Sequence, residues 1–268
     1  MLSVFYTLYY NLKQTPMSVD TKTITQEQNK DAVISYLLLR QFIGILGIML
    51  PLLLTVGTYI LANCNSLQPS ISHYYYSIMH IVFVGVLCVM GGFLITYRGA
   101  SKNRKLENRV SNLAGACALG VAICPTKFAG YINPSGCNCQ FIELQLHTTT
   151  KDIPNYINSM HFGFAAVLFT CFVFFCMSIF QDPDLGEPID DMKKRRNVIY
   201  KTCGVIIIIS ILCIAVLAIF PKLDFPYSTF IFETTALLPF GFSWLLKGSV
   251  NWPESKNPVL RKAVQYLR

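Results

Sequence analysis

Apolar residues gather along the chain into six runs separated by polar connections, and each run is close to the roughly 20 residues a helix needs to cross a bilayer. The pattern predicts spans at about Phe42–Ala62, Ser77–Tyr97, Val110–Thr126, Tyr156–Phe180, Thr202–Phe220 and Thr229–Leu246. The stretch Ser70 to Arg98, SISHYYYSIMHIVFVGVLCVMGGFLITYR, sets the type: a polar and aromatic opening, an apolar body and a basic stop. SMHFGFAAVLFTCFVFFC and FIFETTALLPFGFSWLLK repeat its plan, each with one ionisable residue early in the apolar part.

The elements this predicts are all helical. Pro51 interrupts the first span and should kink it, as membrane helices tolerate. The third span is the least hydrophobic; Ala114, Ala118 and Ala122 recur every four residues beside Gly115 and Gly120. Small residues at that spacing allow close helix contact, so this helix is expected inside the bundle. Residues 1–40 read as an N-terminal tail, with 17–35 mobile, 41–248 as the transmembrane domain and 249–268 as a C-terminal tail. The first sixteen residues lack a basic region and a cleavage site, which argues against a signal peptide; Met17 opens a polar segment that reads as a more natural start.

Composition agrees with this layout. Of 268 residues 53% are hydrophobic and 13% charged, about half the charged fraction of a soluble domain, and the mean hydropathy is +0.46. The net charge of +8 is better explained by basic cytoplasmic loops than by nucleic acid. Lys and Arg crowd the connections after the second and fourth spans and the C-terminal tail, and are scarce after the first, third and fifth. The positive-inside rule then places both termini in the cytoplasm. Tyr74, Tyr75, Tyr76, Tyr131, Tyr156 and Tyr227 would form the outer aromatic belt, and Tyr97, Tyr200 and Trp244 the inner one.

The ten cysteines include no CxxC. Cys88, Cys117, Cys171, Cys176, Cys203 and Cys213 lie in apolar runs, where the thiol behaves as a small hydrophobe. Cys64, Cys124, Cys137 and Cys139 fall in or beside outer connections and could pair in an oxidising compartment.

Three ionisable residues stand inside the spans: His80, His161 and Glu233, on the second, fourth and sixth. Each lies one to one and a half turns past the outer end, about 5–8 Å deep at 1.5 Å per residue. Equal depth on three parallel helices is what a shared site requires. Ser77, Asn158 and Thr229 precede them by three or four residues, on the same helix faces, and would be supporting partners or simple helix caps. Two imidazoles and a carboxylate suit zinc with an open position for water, hence a membrane-embedded lipid hydrolase. They also suit a proton relay, hence a small proton-coupled transporter or channel, or an outer-leaflet pocket for a lipid-like or small polar ligand. A purely structural role is the fourth alternative, with each His bonded to a tyrosine or backbone carbonyl and Glu233 paired with Lys222 or a histidine. Ser72-His73 has no nucleophile-elbow pattern around it, and His147 reads as a solvated loop residue. The run Lys193 to Arg196 is first a topology signal and only secondarily an attraction for anionic lipid.

At SISHYYYSIMHIVFVG, NLAGACALGVAICPT and ETTALLPFGFSWLLKG the chain resembles a set of uncharacterised six-span integral membrane proteins, mostly bacterial, over about residues 40 to 248. More remotely its plan is similar to the DRAM-like and FGF-receptor-activating-protein group. That resemblance implies a link to lipid handling, and fold-level likeness alone does not carry function.

Overall fold

The computed structural model describes residues 21–62, 67–99, 101, 103–127, 153–184 and 191–249, with backbone only in 21–34 and at 62. Cys64, Cys137, Cys139, Tyr131, His147, residues 1–16 and the C-terminal tail beyond 249 lie outside the described residues. The helices are α1 (Thr21–Ala62), α2 (His80–Thr96), α3 (Arg104–Ile123), α4 (Asn155–Met177), α5 (Asp191–Ile219) and α6 (Ser228–Ser249). Short 3₁₀ turns occupy Ser72–Tyr76, Ile179–Gln181 and Pro221–Leu223. Among the described residues the only β pairing is a single bridge between Ser101 and Asp184. The chain divides into two units, Met1–Leu37 and Leu38–Arg268. The first contributes the helical residues from Thr21 to Leu37; the packing and side-chain contacts that follow lie within the second.

Four apolar stretches are long enough to cross a bilayer: Ser35–Leu61, Asn155–Gln181, Asp191–Ile219 and Ser228–Ser249. With the exposed apolar side chains they carry, such as Ile60, Phe162, Ile209 and Ile219, they fit a multi-pass integral membrane protein. Two of the expected spans come out differently. Helix α2 has 17 residues, because Ser77 takes an extended conformation with ψ 172° and separates the 3₁₀ turn from the helix. Helix α3 leaves the helical path at Cys124 with ψ 105°; Pro125 follows, and a residue before proline is pushed out of the α region. It starts at Arg104, so its first turns carry RKLENR rather than apolar residues.

Helix α1 begins at Thr21, well before the expected span and inside what the sequence suggested was a mobile tail. TKTITQEQNKDAVISYLLLR contains neither Gly nor Pro and is rich in residues that accept helix well, so nothing stops the helix growing backward. Pro51 lies within α1, which continues past it.

Consecutive helices pack on one another from α2 to α6, and α1 closes against α6. Two glycine pairs set the closest approaches. A Cβ on Gly44 would stand 2.6 Å from the Gly241 carbonyl oxygen, and one on Gly241 2.5 Å from that of Gly44. Gly91 and Gly115 meet in the same reciprocal way between α2 and α3, at 2.9 and 2.6 Å. Ala114, Ala118 and Ala122 are buried along α3, as a small-residue helix inside a bundle requires. Phe172 of α4 stacks on Phe240 of α6 with ring centroids 3.5 Å apart.

Tyr97, Tyr200 and Trp244 do not form a lipid-facing belt. All three are fully buried: Trp244 packs edge-on against Tyr97 and Phe180, both at 5.1 Å, and Phe180 against Tyr200 at 5.5 Å. Their size made them core anchors. Tyr74 and Tyr76 are likewise buried, whereas Tyr156 is exposed.

Candidate functional site

Polar side chains concentrate at the two ends of the bundle. At one end the residues from Pro69 to Ser77 form a turn wedged between helix ends. Helix α6 holds it through Phe230, whose N–H donates to the Pro69 carbonyl at 3.1 Å, and through Glu233, whose carboxylate accepts from the Ile71 N–H at 2.6 Å. Helix α4 holds it through His161, whose Nε2 lies 3.0 Å from Ser72 Oγ. The end of α3 holds it through the Thr126 carbonyl, which accepts from the Tyr76 hydroxyl. Ser72, Tyr74, Tyr76 and His161 are buried, and Glu233 is partly so.

His161 and Glu233 therefore grip two successive residues of one turn. His161 uses both ring nitrogens, because Nδ1 lies 2.6 Å from the Cys124 carbonyl oxygen. A carbonyl can only accept, so Nδ1 carries the ring proton and Nε2 offers its lone pair to the Ser72 hydroxyl. His80, which opens α2 instead of lying a turn or more inside it, reaches the same turn further along: its Nδ1 contacts the Tyr75 carbonyl at 2.6 Å, and its ring sits edge-on to Tyr75 with centroids 4.3 Å apart. Among the described residues no group of three or more His, Cys, Asp or Glu is gathered to hold a metal ion.

His73 was set aside on sequence grounds and belongs here. The Ser70 hydroxyl lies 2.6 Å from its Nδ1 and accepts its backbone N–H at 3.2 Å. Its Nε2 is buried without a hydrogen-bond partner among the described residues. Burial, and next the neighbouring His161, lower its pKa from 6.5 to about 4, so it is neutral at pH 7. A run of alternating serines and a histidine, S-I-S-H, was the available signal; only the fold shows that both serines engage imidazoles.

The supporting partners act elsewhere. Ser77 Oγ donates to the Tyr74 carbonyl at 2.8 Å and accepts the Met79 N–H at 3.1 Å, bridging the 3₁₀ turn and the residue before α2. Asn158 Oδ1 accepts the Lys127 N–H at 2.8 Å. Among the described residues no side-chain hydrogen bond joins Ser77 to His80, Asn158 to His161 or Thr229 to Glu233; Ser77 meets His80 through its carbonyl, which accepts the His80 N–H at 3.0 Å. Cys124 is a free thiol, and it is its carbonyl that contributes here.

The opposite end holds a buried ionic network. Arg40 on α1, fully buried, makes a two-pronged contact with Asp184 at 2.6 and 3.2 Å. Lys247 of α6 reaches Asp184 at 3.1 Å. Arg40 Nε donates to the Tyr97 hydroxyl at 3.0 Å, which donates to Glu107 at 2.5 Å, and the Ser101 hydroxyl donates to the other oxygen of Glu107 at 2.8 Å. Lys193 of α5 donates to the carbonyls of Phe180 and Asp182 at 3.0 and 3.2 Å. Although burial opposes it, hydrogen bonding and charge from Arg40, then from Lys247, hold the Asp184 carboxyl down at about 2. Arg98, Arg104, Lys105, Arg109, Lys194 and Arg195 are exposed around this end. Sequence reasoning missed the network. Its signals were Glu107, the one acid in the basic connection RGASKNRKLENR, and Arg40 beside an apolar run; Asp184 was hidden among the other acids of QDPDLGEPIDD.

Comparison with protein-family models, with curated proteins and with solved structures finds no match in any of the three, so the function must be argued from the chain's own residues.

Proposed function

We propose that this multi-pass membrane protein crosses the bilayer six times with both termini cytoplasmic, and that the cluster around residues 70–77, on the outer side, binds a lipid-like or small polar ligand. The gathering of exposed basic side chains at the Arg40 end supports that orientation. One observation carries the ligand reading: His73 Nε2, buried in the cluster with no partner among the described residues. A buried polar atom left unpaired costs about 1–3 kcal/mol, a cost a bound polar group would remove. Glu233, which holds Ile71 of the same turn, supplies a further acceptor, and the apolar flanks of the bundle would take acyl chains. The lipid handling implied by the remote resemblance points the same way.

The probe is palmitoyl-oleoyl phosphatidylcholine in nanodiscs, followed by native mass spectrometry of the detergent-extracted protein. The wild type should retain phospholipid, and His73→Phe, which removes the unpaired nitrogen, should lower retention about tenfold, as expected for a loss near 1.4 kcal/mol. Equal retention by the two proteins, or none by the wild type, overturns the reading. An impermeant maleimide on single-cysteine variants of a cysteine-free chain tests the topology: residues near 105 and 195 should be shielded in sealed right-side-out vesicles.

A second reading, a proton-coupled carrier, is favoured by Glu233 alone, an acid set in α6 against a backbone N–H. It requires acid-driven proton entry into liposomes that Glu233→Gln abolishes. The zinc-hydrolase alternative gains nothing from the geometry, since both nitrogens of His161 already face protein atoms.

A further inference from the structure

We infer that Ser72 and His161 form a nucleophile–base pair for acyl transfer, and that the lipid-like ligand of this site is a carboxylic ester; the inference rests on the ligand reading above. The sequence gives no hint of it, because the two residues are 89 positions apart and meet only when α4 docks on the turn.

Three features distinguish the pair from a chance contact. The separation of 3.0 Å between Ser72 Oγ and His161 Nε2 falls within the hydrogen-bond reach a general base needs. The tautomer is fixed: with Nδ1–H committed to the Cys124 carbonyl at 2.6 Å, the lone pair on Nε2 faces the hydroxyl. That carbonyl does for His161 what a carboxylate does in a Ser–His–Asp triad, orienting the ring and supporting the charge that develops on it. Finally, the parts come from three separate elements, the turn, α4 and the end of α3, and the turn and the end of α3 are anchored by other bonds. The Ser72 side is held by the Ile71 N–H on Glu233 and the Pro69 carbonyl on Phe230; the Cys124 side is held by the Tyr76 hydroxyl on Thr126. The titratable groups on the elements around the pair are His73, which interacts with His161, Glu233, bound to the Ile71 N–H, and Tyr76, bound to the Thr126 carbonyl.

In the reaction Ser72 Oγ attacks the ester carbonyl carbon while His161 Nε2 takes the hydroxyl proton. The bond from that carbon to the alcohol oxygen then breaks, and the alcohol departs with the proton returned by Nε2. Water, activated by the same nitrogen, cleaves the acyl-serine to release the acid and restore Ser72. The net change is ester plus water to acid plus alcohol. His73, one residue along, offers its unpartnered Nε2 to the polar part of the substrate.

The test uses the full chain in nanodiscs and a long-chain fluorophosphonate, with the labelled residue located by mass spectrometry. Label on Ser72 is expected in the wild type, with a rate that rises and levels off as pH increases and the imidazole loses its proton. Ser72→Ala should abolish it. His161→Asn keeps an N–H for the Cys124 carbonyl but lacks the base, and should slow labelling by about 100-fold or more with little change in melting temperature. Unlabelled Ser72 in folded wild-type protein overturns the inference, as does a rate insensitive to pH and to His161→Asn. Should His161→Asn fail to fold, the wild-type label and its pH profile decide. Phospholipid retained without Ser72 labelling would leave the binding reading intact and remove the catalytic one; loss of both would remove both.

Discussion

Among single residues, His73 and Asp184 show how one fold uses titratable groups in opposite ways. His73 has a pKa lowered from 6.5 to about 4 because burial disfavours its charged form, with His161 adding to the effect. Between those values the unfolded chain binds more protons than the folded one, so stability present above pH 6.5 drains away as pH falls toward 4. His73→Phe should flatten that part of a melting-temperature profile recorded in detergent. Asp184, held at about 2 against an ordinary 3.8 by Arg40 and Lys247, contributes stability that is complete above about pH 4 and lost between there and pH 2. Asp184→Asn should lower the melting temperature at neutral pH and weaken the acid dependence below pH 4. Neither residue stood out in the sequence. An ionisable group was visible only where apolar neighbours framed it, as with His161 and Glu233; these two stand in short polar connections, and their burial is a product of the fold.

At the scale of helices, the apolar runs named most elements, and their ends were the weak point. Pro125 and the extended Ser77 shortened α3 and α2 for local backbone reasons, while α1 outran its apolar core because helix-compatible polar residues precede it. The small-residue pattern on α3 was a sound guide, since Gly115 does meet Gly91. No four-residue small-side-chain repeat announced Gly44 and Gly241, which lie on helices distant in sequence. At that contact a methyl group would face backbone, which cannot swing aside. Gly44→Ala and Gly241→Ala should each cost about 1–3 kcal/mol, typical of overpacking, measured by unfolding in mixed micelles. Gly85, whose Cβ would meet nothing within 4 Å, is the control position: Gly85→Ala should be neutral or mildly stabilising, since alanine suits a helix better.

For the whole molecule, the even-numbered spans were expected to unite His80, His161 and Glu233. The fold brings all three onto one turn at different residues, Glu233 at Ile71, His161 at Ser72 and His80 at Tyr75, without a hydrogen bond between any two of the three side chains among the described residues. His80 opens its helix instead of lying a turn or more inside it, and direction around a helix axis was not legible, because apolar residues on every side left no polar face to read. The same blindness hid the network at the other end, where Arg40 links α1 to Tyr97, Glu107, Asp184 and the carbonyl of Lys247. Arg40→Met should cost roughly 3–5 kcal/mol, the usual penalty for breaking a buried ion pair. The double variant Arg40→Met with Asp184→Leu should recover part of it, and a double-mutant cycle on thermal melts would measure that coupling.

The bridge between Ser101 and Asp184 stitches together the two connections that carry much of the basic charge. Ser101 also holds Glu107, and Asp184 also holds Arg40 and Lys247, so this end behaves as a knot. With the stems tied there, any opening that admits a guest has to occur as a spreading of the far tips, pivoting about a base that stays put.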